Sequence, residues 1–327
     1  MKLRLLIIAA LGVALAFYLV FFIGVGAVMS AAIAVGWGGF AVLCAYGLAL
    51  FAVLGLAWYL LLPDLNAEKL WVFIRARMVR DAATEVLPFA QLGGIVFGAR
   101  AAILQGIAPA LAFASTIVDV TTELLAQIAF VALGLVILSV QAPHSALAGS
   151  LTSVLTIALG LTAIGCGLFF ALQRYGLWMT GKLAARLLRG AGAATAAVAA
   201  HFDAMYRAPA RVALSSAVHF VAWIASAIGS WMAFRMIGTR VELTSVLAIE
   251  SLVCAARSAA VFVPNALGVQ EAAYAVLAPL FGVGAEFGLA VSLLKRARDI
   301  ALGVPILLIW QAAESQRALA GGTTSHH

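Results

Sequence analysis

Long apolar runs constrain what this sequence can fold into more than any other feature. Several approach the roughly 20 residues that an α-helix needs to cross a bilayer, and they lack the alternation typical of membrane β-strands. Only 10% of the 327 residues are charged, whereas a soluble domain carries roughly 25%. We therefore predict an all-α polytopic integral membrane protein. Its predicted spans are 5–27, 40–62, 107–140, 150–172, 212–235 and 285–312, with interrupted apolar regions at 88–106 and 244–281.

The chain is expected to form about 6–8 transmembrane helices in one domain. The N-terminal run has the basic start and apolar core of a signal peptide, but more hydrophobic sequence follows, so we predict an uncleaved first span. Residues 107–140 are too long for one perpendicular span, which predicts tilt, a break at Pro109 or extension beyond the bilayer. No linker divides residues 1–320, and 321–327 form a polar tail.

The distribution of basic residues predicts the orientation of the chain. Short loops rich in Lys and Arg stay in the cytoplasm. The connections 28–39 and 142–150 contain no Lys or Arg, whereas the N-terminus, 63–87 and 173–211 contain several. We therefore expect the N-terminus and these two segments to be cytoplasmic.

Both cytoplasmic segments are typical of basic surface helices. In "LNAEKLWVFIRARMVRDAATEV" apolar residues recur at helical spacing, and in "GLWMTGKLAARLLRG" three basic residues align on one face. A basic amphipathic helix can lie at the headgroup level and contact anionic lipid. The alternative is that these charges only set the topology. The basic residues concerned are Arg75, Arg77, Arg80, Lys182, Arg186 and Arg189.

Two segments share a pattern that interrupts helices inside apolar sequence. Residues 87–104 read "LPFAQLGGIVFGARAAIL" and residues 263–278 read "VPNALGVQEAAYAVLA". Each has a proline, small or polar residues, Leu-Gly and an alanine-rich run. Each is followed by an apolar segment that contains charged residues, "LAFASTIVDVTTELLAQIAF" and "LAVSLLKRARDIALGVPILL". Ser115 and Ser292 fall at equivalent places in these segments. The pattern predicts two repeat units, at 64–140 and 212–312.

The predicted orientation gives the two repeat units opposite topologies. Inverted repeats with interrupted hydrophobic segments are typical of transporters whose binding site lies between the repeats. Broken backbone at membrane depth survives only inside protein or beside a polar cavity. We therefore expect re-entrant or broken helices, formed by a backbone loop at Pro88, Gly93 and Gly94 and by its counterpart at Pro264 and Gly268. The alternative is that Pro264 ends a span in a short turn outside the membrane.

Ten charged residues lie within or near the hydrophobic regions. Each isolated charge at the bilayer centre costs roughly 2.5–3.5 kcal/mol, so these residues must pair or reach water. Asp119 and Glu123 lie four apart on one helix face and repel each other unless cations face them. We predict that Arg296 or Arg298 supplies those cations across the repeat interface; ion pairs that serve assembly alone are the alternative. With Pro264 and Gly268, the predicted cavity lining is Arg100, Asp119, Glu123, Glu250, Arg257, Glu271, Lys295, Arg296, Arg298 and Asp299.

No motif for hydrolysis, nucleotide binding or zinc binding occurs in the sequence. Its three cysteines lie far apart in apolar runs, and its five histidines form no ligand pattern. We therefore predict neither a metal nor a cofactor. The net charge of +7 is explained by the predicted cytoplasmic Lys and Arg, so no nucleic-acid partner is predicted.

The interrupted segments resemble those of a known membrane family. "VPNALGVQEAAY" and "GLAVSLLKRARDIALGVPILLIWQ" are similar to the C-terminal half of the lysylphosphatidylglycerol-synthase transmembrane family, also called flippase-like membrane proteins. "LPFAQLGG…GAR…STIVDVTTELL" is similar to its N-terminal half, and within the family the chain resembles the hopanoid-biosynthesis-associated branch. The family's usual loop has glycine after the proline, where this chain has Asn265 and Ala266.

The resemblance implies a protein of the bacterial inner membrane that moves lipid, with hopanoids carried from the inner toward the outer membrane. Aminoacyl-lipid synthases carry a soluble transferase domain after the membrane part, and here only residues 313–327 follow the last predicted span. We therefore do not expect aminoacylation by this chain alone.

The leading hypothesis is a non-enzymatic lipid transporter whose polar cavity takes the headgroup of a hopanoid or phospholipid. The alternatives are a membrane-embedded lipid-modifying transferase and a non-catalytic scaffold for hopanoid biosynthesis. The sequence makes no prediction of oligomeric state.

Overall fold

The structure, a computed structural model, describes residues 33–87, 90–141, 191–260 and 263–322, with Ser30 and scattered positions between 153 and 171. The four continuous ranges contain α-helices and two short 3₁₀ helices (Pro264–Ala266 and Ala278–Phe281), without strands. This confirms the predicted all-α fold. The helices are α1 (Gly36–Tyr59), α2 (Ala67–Val86), α3 (Ala90–Leu104), α4 (Pro109–Gln141), α5 (Ala191–Tyr206), α6 (Pro209–Met236), α7 (Leu243–Ala259), α8 (Val269–Leu277) and α9 (Ala285–Gly322).

Local capping chemistry explains where several helices begin. The Asn66 side chain accepts a hydrogen bond from the Glu68 amide at 3.1 Å and so caps α2. Pro109 and Pro209 begin α4 and α6, where a missing N–H costs no helical hydrogen bond. Pro109 therefore starts α4 and does not break it. The 33 residues of α4 extend about 50 Å, beyond the roughly 30 Å hydrocarbon core.

Three described helices, α1, α4 and α6, are long and apolar enough to cross a membrane. They confirm helices at the predicted spans 40–62, 107–140 and 212–235. The predicted span 285–312 coincides with the first part of α9, which is not among the three. The predicted spans 5–27 and 150–172 lie outside the continuously described residues.

Large apolar side chains face outward on several helices. Exposed apolar residues occur on every protein surface, but many here lie on α1, α4 and α6, which have the length and composition of membrane spans. Lipid tails can therefore contact them without loss of hydrophobic free energy. They include Val42, Leu48, Val136, Val140, Leu214 and Val221.

Two apolar clusters form the core of the described chain. One joins α1 to α5 and includes Phe73 and Val118, and the other is built mainly from α6 to α9 and includes Ile249, Tyr274 and Leu289. The helices also pack across these groups, since α4 contacts α7 and α9 contacts α2. These helix contacts join the two predicted repeat units.

The predicted interruption at Pro264 and Gly268 is present as a break between α7 and α8. Asn265 and Ala266 have φ of 50° and 46°, and Gly268 has φ of 78°. This left-handed backbone turns the chain sharply and favours glycine. Beyond it, the Gly268 amide donates to Glu271 Oε2 at 2.8 Å, which satisfies one of the free N–H groups at the start of α8.

The prediction that α2 is a basic surface helix is wrong. Arg77 and Arg80 are only 2% and 8% exposed, and Phe73 is fully buried. The helix packs against α1, α3 and α9, which turns these arginines into the protein. Arg75 alone of the three arginines faces outward. The second predicted surface helix, with Lys182, Arg186 and Arg189, lies outside the described residues.

Candidate functional site

A cavity of about 380 Å³ lies among seven helices, α1 to α4, α6, α7 and α9. Part of its wall is apolar and includes Phe51, Leu54 and Trp223. Its described lining also contains ten charged side chains, with equal numbers of cations and anions. These are Arg77, Arg80, Asp81, Glu85, Glu123, Glu250, Arg257, Lys295, Arg298 and Asp299. We call this space the charged cavity.

Six of the predicted lining residues contribute to the charged cavity. They come from three different helices, α4, α7 and α9, and the fold brings their charged groups to one space. They are Glu123, Glu250, Arg257, Lys295, Arg298 and Asp299.

Arg77 and Arg80 of α2 form a buried ion-pair network with α4. Arg77 Nη1 donates to Asp119 Oδ2 at 3.0 Å, and its Nη2 donates to Glu123 Oε1 at 2.7 Å. Arg80 contacts the same two carboxylates, with 2.6 Å to Glu123 Oε2. Arg77 Nε also donates to Asp81 at 2.7 Å. The guanidinium forks thus compensate the like charges of Asp119 and Glu123.

The predicted cations for Asp119 and Glu123 were therefore wrong. Neither Arg296 nor Arg298 pairs with these carboxylates, which are held by arginines of the same predicted repeat unit. The physical reason is that α2 packs within the bundle, so its long arginine side chains reach α4.

Asp119 lies behind the wall of the charged cavity, fully buried, and also contacts His219 of α6. Asp119 Oδ1 is 2.9 Å from His219 Nε2. A carboxylate held by two arginines is ionised and can only accept hydrogen bonds, so Nε2 carries the proton that is donated. The other ring nitrogen, Nδ1, has no hydrogen-bond partner in the described part of the chain.

A second buried pair joins α7 and α9. Lys295 Nζ donates to Glu250 Oε2 at 2.5 Å and to the Tyr274 hydroxyl at 2.9 Å. The Tyr274 hydroxyl also donates to Glu250. The order of the charges along the chain is the reverse of that in the first network. There the cations precede the interruption and the carboxylates follow it, whereas here the carboxylate precedes the interruption and the cation follows it.

The ion pair between Glu85 and Arg257 connects the two predicted repeat units. Glu85 Oε1 lies 2.9 Å from Arg257 Nη2, and the two side chains are 28% and 30% exposed. Asn265 Nδ2 also donates to the Glu85 backbone carbonyl at 2.5 Å. This pair is more accessible than the Lys295–Glu250 pair, which is 12% and 7% exposed. A ligand can therefore reach Glu85 and Arg257 more easily than it can reach the other pair.

Arg298 and Asp299 pair with each other at 2.7 Å and both line the charged cavity. Their side chains are 14% and 24% exposed. The carboxylate and the guanidinium remain close to the other lining charges, so this pair adds both signs to the cavity wall.

Glu271 and Arg296 form an ion pair that lies outside the charged cavity lining. Arg296 Nη2 also donates to the carbonyl of Ala266 at 3.3 Å. The pair thus holds the broken backbone, in which Pro264 and Gly268 lie, and it does not face the cavity. These four predicted lining residues therefore occupy a structural position beside the cavity.

Ser115 and Ser292, the predicted equivalents in the two repeats, occupy similar surroundings. Both are fully buried. Ser115 Oγ accepts from Trp58 Nε1 at 3.1 Å, and Ser292 Oγ accepts from Gln270 Nε2 at 3.0 Å. Each serine thus anchors its charged helix to a neighbouring element.

The remaining predicted residues lie on or near α3. Arg100 is 52% exposed and pairs with Glu314 at 2.9 Å, away from the charged cavity. A Cβ on Gly94 would overlap the Thr84 side chain, so this glycine permits close packing of α3 on α2. The predicted backbone loop at Gly93 and Gly94 is wrong, because both glycines lie within the continuous helix α3 and outside the cavity lining. Pro88 lies outside the described residues.

Four cavity residues were not predicted because they lie on α2, which was expected at the membrane surface. Arg77, Asp81 and Glu85 recur every four residues, with Arg80 beside them. Charges of both signs on one face, next to the apolar residues of the same helix, could have indicated a buried polar face. No group of three or more His, Cys, Asp or Glu residues in the described chain could hold a metal ion.

Comparison with known proteins identifies the family. No curated protein and no solved structure matches the chain. The profile of a family described as Lysylphosphatidylglycerol synthase TM region matches residues 7–306. The chain belongs to this family. Membership in the lysylphosphatidylglycerol synthase TM family makes it a polytopic membrane protein involved in lipid handling.

Proposed function

We propose that the protein translocates lipids and that the charged cavity receives the lipid headgroup. One observation carries the proposal: a cavity of about 380 Å³ holds charged residues of both signs in the middle of an otherwise apolar bundle. A headgroup that leaves water loses its hydration, and a bare apolar interior returns nothing for that loss. The lining carboxylates and guanidinium groups would replace this hydration, while the apolar body of the lipid stays in the bilayer.

The exposure of the charged pairs indicates which residues would contact the headgroup. Arg77 and Arg80 are nearly closed to solvent and already hold three carboxylates. Glu85 and Arg257 retain more than a quarter of their exposure. A phosphate or hydroxyl group can therefore approach this pair without the cost of opening the buried network. We assign the direct headgroup contact to Glu85 and Arg257.

The packing of the two halves supports inverted repeat units with broken helices. The last helix of each unit packs against the other unit, since α4 contacts α6 and α7, and α9 contacts α2. The two interruptions are followed by helices that carry buried serines at equivalent positions. The Glu85–Arg257 pair then lies between the units, where a rocking motion of one unit against the other would open or close the cavity.

The finer features of the hypothesis remain part of this proposal. They are a hopanoid or phospholipid substrate, a bacterial inner-membrane location with a cytoplasmic N-terminus, one domain over residues 1–320, and transport without chemical modification of the lipid. The family membership and the absence of a hydrolytic motif in the sequence are in keeping with them.

The test is leaflet exchange in proteoliposomes of the purified full chain. A membrane-impermeant reductant first removes the fluorescence of labelled phospholipid in the outer leaflet. The rate at which the remaining fluorescence is then lost reports the movement of lipid from the inner leaflet to the outer one. We expect the protein to accelerate exchange over protein-free vesicles. Arg257→Gln should slow it about tenfold, because one charge-assisted contact to the headgroup is lost.

Arg240→Gln is the matched control, since Arg240 is exposed and lies outside the charged cavity. Its rate should equal that of the wild type. A parallel assay with labelled hopanoid compares the two substrate classes. The proposal is contradicted if the wild type exchanges neither lipid, or if lipid extracts of the vesicles contain a newly modified species.

A further inference from the structure

A second cavity, of about 400 Å³, opens between α2, α3 and α9 and shares no lining residue with the charged cavity. Most of its described lining is apolar, with Met78 and Val79 from α2, Leu104 from α3, and Ile309 and Trp310 from α9. We call it the apolar pocket. Its volume is within the range of pockets that hold small molecules and cofactors.

The apolar pocket opens beside an exposed apolar surface of α9. Leu308 and Ile309 on α9 are 61% and 71% exposed, and the chain belongs to a membrane family. The available apolar ligand at such a surface is a lipid chain. A lipid tail gains little by leaving one apolar environment for another, because bilayer tails are as apolar as the pocket wall. Any selectivity must therefore come from the polar groups at the pocket.

The polar groups at the apolar pocket leave one cation uncompensated. Its charged lining residues are Arg75 and Glu314. Glu314 is already paired, since its Oε1 lies 2.9 Å from Arg100 Nε. The amide nitrogen of Gln105 donates to the Ala101 carbonyl. Arg75 is exposed and forms no ion pair within the described chain.

We propose that the apolar pocket binds one acyl chain of a glycerophospholipid whose anionic headgroup is held by Arg75. The guanidinium supplies a planar pair of N–H donors that fits a phosphate bidentately. The neighbouring Arg100–Glu314 pair contributes no net charge, so the positive charge of Arg75 is the net charge that the pocket presents to the headgroup. This site is independent of the charged cavity and of the translocation proposed for it.

Two pairs of variants test the site. Arg75→Gln removes the headgroup cation, and Arg240→Gln removes an exposed cation that lies outside the pocket. Ala313→Phe fills the pocket, whereas Ala312→Phe adds the same ring to an adjacent exposed position outside the pocket lining. Because Ala312, Ala313, Arg75 and Arg240 are all exposed, each full-length variant is expected to fold, which its melting temperature in detergent confirms.

The measurement is native mass spectrometry of the purified chain titrated with phosphatidylglycerol or phosphatidylcholine of identical acyl chains. We expect the wild type to bind phosphatidylglycerol about tenfold more tightly than phosphatidylcholine. Arg75→Gln should remove this preference, and Ala313→Phe should remove the site for both lipids. Both control variants should bind as the wild type does.

Three results would overturn the proposal. The first is equal binding of the two lipids by the wild type, and the second is an unchanged preference in Arg75→Gln. The third is retention of the bound lipid in Ala313→Phe, which would place the lipid elsewhere on the protein. Preferential binding of a neutral hopanoid over phosphatidylglycerol would likewise exclude an anionic headgroup as the ligand.

Discussion

At the scale of single residues, the most demanding feature is a carboxylate with no contact to solvent. Asp119 is fully buried and is contacted by two arginines and by His219. A charge removed from water loses several kcal/mol of solvation, which only close partners can offset. Here Arg77 and Arg80 supply the offset and are themselves buried. Asp119 therefore depends on these two arginines to stay buried and ionised, and Glu123 adds a second carboxylate for both of them.

Asp119→Asn should destabilise the protein because it leaves two buried guanidinium groups with less compensating charge. Removal of one partner from a buried ion pair costs about 3–5 kcal/mol, which corresponds to a melting temperature lowered by about 10 °C in a chain of this size. Thermal unfolding of the purified protein in detergent measures the effect. Asp64→Asn is the control, since Asp64 is exposed in the loop before α2. Equal melting temperatures for the two variants would show that the network is not required for stability.

At the scale of helices, close packing depends on glycines where helices cross. A Cβ on Gly134 of α4 would overlap the Ser251 hydroxyl of α7. A Cβ on Gly288 of α9 would lie 2.6 Å from the Tyr274 carbonyl oxygen. Small residues at such crossings let backbones approach in membrane proteins, where van der Waals packing drives helix association. The α4–α7 crossing joins the two predicted repeat units, so its geometry also sets the width of the space between them.

Gly134→Ala should force α4 and α7 apart and cost about 1–3 kcal/mol, as other overpacked cores do. The double variant Gly134→Ala/Ser251→Gly should recover most of that loss because it removes the opposing side chain. Gly38→Ala provides the control, since a Cβ there meets no atom within 4 Å. The melting temperature of each variant in detergent reports the result. A loss that persists unchanged in the double variant would assign the effect to another contact.

The sequence predicts the positions of several helices well, but it predicts the side-chain contacts between helices poorly. Apolar runs predicted α1, α4 and α6 because hydropathy is a property of each segment alone. Proline and glycine predicted the break after α7, where Asn265 occupies a left-handed position at which the resembled family has glycine; asparagine adopts this region more readily than most residues. Arg77 and Arg80, by contrast, look in sequence like arginines that set topology. Only the packing of α2 against its neighbours distinguishes the two roles.

At the scale of the whole molecule, two helix groups with separate apolar cores are joined through a charged interior. Each predicted repeat unit pairs cations with carboxylates across its own interruption, and the polarity is reversed between the units. Between the units, Glu85 and Arg257 form a partly exposed ion pair. The buried ion pairs of Arg77 and Arg80 therefore stabilise the fold, and the more accessible Glu85–Arg257 pair lines the cavity.

The central claim is that lipid headgroups pass through the charged cavity, and a variant that blocks the cavity tests it most directly. Ser226→Trp places an indole ring in the cavity wall on α6, and Val221→Trp places the same ring at an outward position, 57% exposed, on the same helix. The measurement is the initial rate of leaflet exchange of labelled phospholipid in vesicles of identical composition. We predict the wild-type rate for Val221→Trp and the rate of protein-free vesicles for Ser226→Trp. Undiminished exchange by a folded Ser226→Trp protein would contradict passage through this cavity.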